Sequence, residues 1–232
     1  MRKTFMGKIL VLVFLSLLSF NLVEAKSAVP AKSAIPAKSD APAKKVIPAK
    51  SMAKPFNLAF VSPLAIVDKT ESVHGLSINI IYGENKDIVG LDFGFINKIN
   101  GNLTGYSDAF INIIKGNVKG EQGGLAAITD GDFRGAQAGF VAITKGNFDG
   151  MQFGLVSIVK GNLSGLEMGL VNKTTNLEGV QFGGINIADS VVGFQLGAIN
   201  VTKKMDGLQI GVINVISGKK TWKVLPILNY FW

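Results

Sequence analysis

Apolar and polar residues recur with a fixed period along most of the chain, from residue 56 to the C-terminus. The period is marked by glycines that stand first fifteen and then fourteen residues apart. The residue two positions before each anchor glycine is apolar, and the residue two positions after it is polar. This pattern predicts a repeat domain in which each unit is one small structural element. The anchors are Gly75, Gly90, Gly105, Gly120, Gly135, Gly150, Gly165, Gly179, Gly193 and Gly207.

Within one unit the apolar residues alternate with other residues, as in a β-strand, but the alternation changes phase near a glycine. In one unit the apolar positions are Met151, Phe153 and Leu155, followed by Val156 and Ile158. A glycine at such a break predicts a corner between two short strands, because glycine adopts backbone angles that other residues avoid. Lys-Gly-Asn and Asp-Gly-Asp triplets between the units predict turns. Helix is excluded because glycine recurs too often.

Two all-β architectures are compatible with a repeat of this size. In a repetitive β-solenoid each unit is one coil, which predicts about ten coils of 14–15 residues with equivalent residues stacked about 4.8 Å apart. In an antiparallel outer-membrane β-barrel each unit is one strand. The alternating apolar residues Leu228, Tyr230 and Trp232 at the end of the chain favour the barrel. The uniformly short turns favour the solenoid, because barrels of this kind alternate short and long connections.

In the solenoid, the residues of one column share one environment. We predict that Phe153, Phe182 and Leu196 lie in buried columns and that the glutamines beside them point outward, as a flat stripe suited to an extended partner. The alternative is that these amides serve only as a hydrogen-bonded scaffold. The candidate partner-facing residues are Gln122, Gln137, Gln152, Gln181, Gln195 and Gln209, and a second, structural amide column contains Asn97, Asn112, Asn172, Asn186, Asn200 and Asn214.

The first 55 residues have a different composition. Residues 1–25 have the charged start, short apolar run and small residues of a signal peptide, with cleavage predicted after Ala25. Residues 26–55 repeat the pattern Ala-Lys-Ser with a proline every sixth residue, which predicts a disordered, extended linker. Residues 56–232 form the predicted β repeat domain. The linker is basic and could adhere to anionic envelope polymer or lipid head groups.

The net charge of +8 belongs to the N-terminal segment. The ten Lys and Arg residues of residues 1–55 face only Glu24 and Asp40, whereas the repeat domain is electrically balanced. A nucleic-acid-binding domain concentrates basic residues on its folded surface, so nucleic acid is excluded as a partner.

Few residues of the chain suit catalysis or metal binding. The chain has no cysteine and a single histidine, His74, so no catalytic, cofactor-binding or metal-binding residues are predicted. The Asp130-Gly131-Asp132 triplet is interpreted as a turn rather than a calcium site, since it lacks the further carboxylates of known calcium loops.

The repeat domain resembles a known bacterial family, the surface repeat-containing proteins. The resemblance covers residues 56–232 and is carried by the segments Val73–Gly83 and Val89–Gly94, by the Gly-Leu-Gln-Ile-Gly-Val-Ile-Asn run at Gly207–Asn214, and by Leu225–Asn229. It implies placement at the cell surface or outer membrane of a double-membraned bacterium. It implies no enzymatic activity and no site residues.

The sequence therefore predicts a non-enzymatic, exported envelope or surface protein with a structural or adhesive role. The alternative is an integral outer-membrane β-barrel. An enzyme acting on polysaccharide is disfavoured because no paired carboxylates stand out. Envelope polymer, lipid head groups and a surface glycan or protein are the expected partners, and the sequence does not indicate the oligomeric state.

Overall fold

The computed structural model describes residues 53–231, and within them the chain contains β-strands and turns but no helix. The predicted cleavage site after Ala25 and nearly all of the predicted linker lie outside the described residues. The first strand starts at Lys54, two residues before the predicted start of the domain. The strands are β1 (Lys54–Val61), β2 (Leu64–Ala65), β3 (Val73–Asn85), β4 (Ile88–Ile99), β5 (Leu103–Ile114), β6 (Val118–Thr129), β7 (Phe133–Thr144), β8 (Phe148–Ile216) and β9 (Val224–Phe231).

Each repeat closes into a coil. Strands β4 and β5 have twelve residues each and pair in parallel along their whole length, with Gly90 opposite Gly105. A straight strand of that length spans about 40 Å. The three residues between the strands bridge less than about 15 Å, so the chain can return to its starting point only if the strand itself bends round. This parallel pairing at an offset of fifteen residues is that of a β-solenoid.

The predicted solenoid is confirmed, and the alternative of an antiparallel barrel is wrong, because the repeats pair in parallel with their neighbours. Seven strands, β1 and β3 to β8, form the parallel stack. The parallel solenoid thus has about seven turns, somewhat fewer than the ten coils that the sequence predicts. The final repeats run together without a break inside the 69-residue strand β8.

The anchor glycines combine an unusual backbone angle with close stacking on the preceding coil. Gly150 has a φ of 138°, a conformation that side chains rarely adopt, and its neighbour in the stack, Gly135, has a φ of 134°. A Cβ atom on Gly150 would also overlap the carbonyl oxygen of Gly135. Glycine is required here for two reasons, the backbone angle and the close approach of the next coil.

Four positions of each repeat from the anchor Gly90 onward point into a narrow interior. They are the apolar residue before the anchor, the polar residue after it, and the residues seven and nine positions after it. Interior rings also stack, since Phe133 and Phe148 lie in parallel with centroids 4.8 Å apart. The buried apolar column contains Val73, Ile88, Leu103, Val118, Phe133, Phe148, Leu163, Leu177, Val191 and Met205.

The coil is flattened, with two sides that face each other across this interior. Gln122, before the corner, accepts a hydrogen bond from the Thr129 hydroxyl and donates one to the carbonyl of Ile128, both after the corner. One edge of the coil is therefore formed by the four residues that lie three to six positions after each anchor, which we call the corner edge. The opposite edge is formed by the turns between repeats, which we call the turn edge.

Both ends of the stack are covered by extra strands. At the N-terminal end, β1 pairs in parallel with β3, and the short β2 pairs with β1. At the C-terminal end, β9 pairs antiparallel with the last part of β8, from Gly207 to Val215. Asn229 of β9 is buried and its amide donates to the carbonyl of Asn214. These strands occupy backbone groups that an open coil would expose.

Candidate functional site

The glutamine column lies in the interior of the solenoid, so the prediction of an exposed, partner-facing stripe is wrong. Each of these side chains is 0% or 1% exposed. The strands alternate as predicted, but the opposite strand face is turned inward. Burial is tolerated because a similar polar group lies one coil away and replaces the hydrogen bonds that water would make. The buried glutamines are Gln122, Gln137, Gln152, Gln181, Gln195 and Gln209.

The side-chain amides of this column form a hydrogen-bonded ladder. Gln137 donates through Nε2 to Oε1 of Gln122 at 2.7 Å, and Gln152 donates to Gln137 at 2.6 Å. Further along the stack, Gln195 donates to Gln181 and Gln209 donates to Gln195, each at 2.7 Å. Every donation runs toward the N-terminal end. These amides therefore form a hydrogen-bonded scaffold, which is the alternative that the sequence offered to a partner-facing stripe.

The apolar neighbours of the glutamines point outward, so the prediction that they are buried is also wrong. Phe182 is 51% exposed, and Phe153 and Leu196 are partly exposed. The physical reason is the alternation itself, because successive side chains of a strand point to opposite faces. Once the amide occupies the interior, the residue on either side of it must face outward.

The asparagine column is buried and forms a second ladder. Asn172 donates to Asn186, Asn186 to Asn200 and Asn200 to Asn214, each at 2.8 Å. These donations run toward the C-terminal end, opposite to those of the glutamines. In the earlier repeats Asn97 and Asn112 are also buried, with hydrogen bonds to Ser107 and to backbone carbonyls.

Two carboxyl groups replace amides in the glutamine column. Burial raises the pKa of Glu167 to about 8, although hydrogen bonds from Gln181 and from the backbone of Lys173 lower it. Burial likewise raises the pKa of Asp92 to about 6, against the lowering effect of hydrogen bonds from Ser107, Ser77 and Asn79.

The polar ladder is interrupted where Glu167 stands. Its Oε2 atom accepts a hydrogen bond of 2.6 Å from Gln181, but its Oε1 atom is buried without a partner. Oε1 of Gln152, the preceding residue in the column, is also buried without a partner. A carboxylate can only accept, whereas a protonated carboxyl group can donate. A proton on Glu167 would therefore supply the donor that this step of the ladder lacks.

The turn edge contains a third hydrogen-bonded ladder, which the sequence did not predict. Oδ1 of Asn102, Asn117, Asp132 and Asn147 each accepts a hydrogen bond from the backbone N–H of the equivalent residue one repeat later. The signal was present as an Asn or Asp every fifteen residues, but it was interpreted only as local turn chemistry. These side chains tie each turn to the next.

The charged residues of the turn edge pair with one another. Asp130 lies between Lys115 at 2.8 Å and Lys145 at 2.9 Å. Next to these turns, Arg134 of β7 and Asp149 of β8 form a further pair at 2.8 Å beside a shallow groove of about 770 Å³. The Asp130-Gly131-Asp132 triplet connects β6 and β7; Asp130 makes ion pairs and Asp132 belongs to the turn ladder, neither of which the sequence predicted.

The corner edge presents a line of large apolar side chains to solvent. The residue five positions after the anchor is between 41% and 59% exposed in six consecutive repeats. Two of these rings, Phe95 and Phe110, stack with centroids 5.1 Å apart. Exposed apolar surfaces of this extent mark interaction sites. The line consists of Phe95, Phe110, Leu125, Phe140, Leu155 and Leu170.

Comparisons of the chain with protein families, with curated proteins and with solved structures give no match. Within residues 53–231, no group of three or more His, Asp or Glu side chains is arranged to hold a metal ion. The same part of the chain contains no helix long and apolar enough to cross a membrane. The corner edge is the candidate functional site, because it is the surface on which large apolar groups lie exposed in register.

Proposed function

We propose that this protein is a non-enzymatic, exported envelope or surface protein with a structural or binding role, and that it binds through the corner edge. The observation that carries the proposal is the line of exposed apolar side chains along that edge, since a solvated protein gains nothing by exposing them. Their repetition in successive coils gives an extended surface rather than a pocket.

The interior supports a structural role. Two amide ladders of opposite direction and a third ladder of turns connect each repeat to its neighbours. Buried hydrogen-bond networks make a fold rigid where their members are satisfied. A rigid solenoid holds the apolar side chains of the corner edge in register, one coil apart, whether or not a partner is present, so binding costs little conformational entropy.

The placement in the envelope rests on the signal-like residues 1–25 and on the resemblance to surface repeat-containing proteins. Cells that produce the protein should be separated into cytosolic and envelope fractions, and the intact mass of the protein should be measured in each. We expect the protein in the envelope fraction with Lys26 as its first residue. Full-length protein confined to the cytosol would contradict the proposal.

A further inference from the structure

Charge is almost excluded from the corner edge. Among the residues three to six positions after the anchors Gly75 to Gly207, Asp108 is the only charged side chain. By contrast, the turn edge carries the ion pairs of Asp130 with its two lysines, and the strand positions next to it carry the pair of Arg134 with Asp149. The solenoid is therefore amphipathic across its width, with one apolar and one polar edge. An amphipathic element of this kind suits a boundary between water and an apolar phase.

The corner edge also lacks the groups that a specific protein partner requires. Protein interfaces carry about one hydrogen bond per 100–200 Å². The exposed side chains of this edge are Phe, Leu, Ile, Val and Ala, and their backbones already pair within the parallel sheet. A fluid hydrocarbon phase requires only apolar contact, and a uniform line of aliphatic and aromatic groups provides it.

The segment that precedes the solenoid adds a second attraction. Residues 26–55 contain seven lysines and one acidic residue, Asp40, and the last of these lysines, Lys54, is the first residue of β1. Each lysine near an anionic membrane surface strengthens binding about fivefold. An apolar face and a basic segment together hold a protein on a membrane more firmly than either does alone. The lysines are Lys26, Lys32, Lys38, Lys44, Lys45, Lys50 and Lys54.

We propose that the solenoid lies on an anionic lipid membrane, with the side chains of its corner edge inserted at the boundary between head groups and acyl chains and the lysines of residues 26–55 against the head groups. This inference rests on the proposed envelope role and names an anionic lipid membrane as the partner of the protein. The turn edge, with its ion pairs and turn ladder, faces water.

The full chain should be floated on a density gradient with vesicles of phosphatidylglycerol and phosphatidylethanolamine, and with neutral phosphatidylcholine vesicles. We expect flotation with the anionic vesicles and weaker binding to the neutral ones. Added salt should reduce the difference, since it screens the lysines. The double variant Phe140→Ser and Leu155→Ser should bind the anionic vesicles about tenfold less tightly or weaker still, because two large apolar groups no longer insert.

The matched control removes exposed apolar groups away from the corner edge. Val89 and Val192 are 41% and 52% exposed and directly precede their anchors. The double variant Val89→Ser and Val192→Ser should bind within about twofold of the wild type. Circular dichroism and thermal unfolding of both variants establish that they are folded. Equal losses in the two double variants would overturn the assignment to the corner edge.

The test separates this inference from the proposed function. If the full chain binds isolated envelopes but not anionic vesicles, the lipid partner is wrong while the envelope role stands. If the corner-edge variant instead splits a stable dimer measured by light scattering in vesicle-free buffer, the edge binds a second copy of the chain. If the protein is cytosolic, the proposed function itself fails.

Discussion

At the scale of single residues, the interior of this protein is stabilised by polar groups that satisfy one another. Gln137 donates to Gln122 and accepts from Gln152, so neither end of its amide lacks a partner. A buried amide that loses its neighbour leaves a polar atom unsatisfied, at a cost of about 1–3 kcal/mol. The identity of one interior residue therefore depends on the identity of the residues stacked on it.

Glu167 should make the stability of the fold depend on pH. Its pKa is about 8 in the folded chain and 4.5 in its unperturbed state, so the folded state retains a proton that the unfolded state releases. The free energy of unfolding should fall as the pH rises from about 4.5 to about 8. Glu167→Gln supplies a permanent donor to the ladder and should be more stable than the wild type near pH 8, by an amount that shrinks toward pH 4.5.

Urea unfolding across this pH range measures the effect. No charged side chain of the described residues contributes to the pKa shift of Glu167, which arises from burial, Gln181 and the backbone of Lys173. Asp92, with its own raised pKa of about 6, contributes equally to the wild type and the variant. Glu178→Gln, at an exposed position, is the control and should leave the pH profile unchanged. A constant difference between Glu167→Gln and the wild type would refute a buried proton on Glu167.

A charge in the glutamine column should be poorly tolerated. Gln137→Lys places an ammonium group in a fully buried site between two amides, so we expect the free energy of unfolding to fall by at least about 3 kcal/mol. The adjacent Ala138 is exposed, and Ala138→Lys should change stability by less than about 0.5 kcal/mol. Chemical denaturation of the two variants compares the two faces of one strand. Equal stability of both variants would mean that the glutamines do not face inward.

At the scale of the structural element, each coil depends on an anchor glycine and on a corner, and the two positions have different requirements. Gly150 combines a φ of 138° with close contact to Gly135 in the preceding coil. Gly154, at the corner, has no such backbone strain, and an added Cβ would lie 3.0 Å from its nearest neighbours. The equivalent corner position of another repeat already holds Ala109.

Alanine substitutions at these two glycines should therefore differ in cost. Gly150→Ala must relieve both the backbone strain and the overlap with the Gly135 carbonyl, so we expect a loss of at least about 2 kcal/mol in the free energy of unfolding. Gly154→Ala should cost distinctly less, because its neighbours need to move by only a few tenths of an ångström. Thermal and urea unfolding provide the comparison. If Gly154→Ala is the more damaging change, the strain is not located at the anchor.

At the largest scale, the solenoid formed by the described residues has edges of opposite polarity and two covered ends. The ends matter because parallel stacking has no internal limit, and an uncovered coil presents a row of free backbone groups to another molecule. Strand β9 covers the last coil by antiparallel pairing and reverses the direction of the chain there. It therefore closes the stack to further parallel addition.

Removal of the C-terminal strand should cause association. Deletion of residues 223–232 exposes the edge of β8 from Gly207 to Val215, and we expect assemblies whose mass grows with protein concentration. Deletion of residues 27–36, which has the same length and precedes the first strand in the sequence, serves as the control. Size-exclusion chromatography with light scattering measures both variants beside the full chain. A C-terminal deletion with the same mass as the full chain would show that β9 does not protect the end.

The repeat, its period, the β conformation and the turns could be predicted from the sequence. These features depend on local backbone preferences and on spacing, which a single chain displays directly. The prediction of unusual glycine angles at the change of phase near Gly154 is wrong, because the positive φ lies at the anchor Gly150 instead.

The sequence also identified Gln152 and Phe153 as neighbours on opposite strand faces. Which of the two lies inside depends on contacts between coils, and the structure places Gln152 there. Alternation along a strand defines two faces but does not indicate which face is buried. The usual preference for buried apolar groups is overcome here because stacking brings amides that are fourteen or fifteen residues apart within hydrogen-bonding distance.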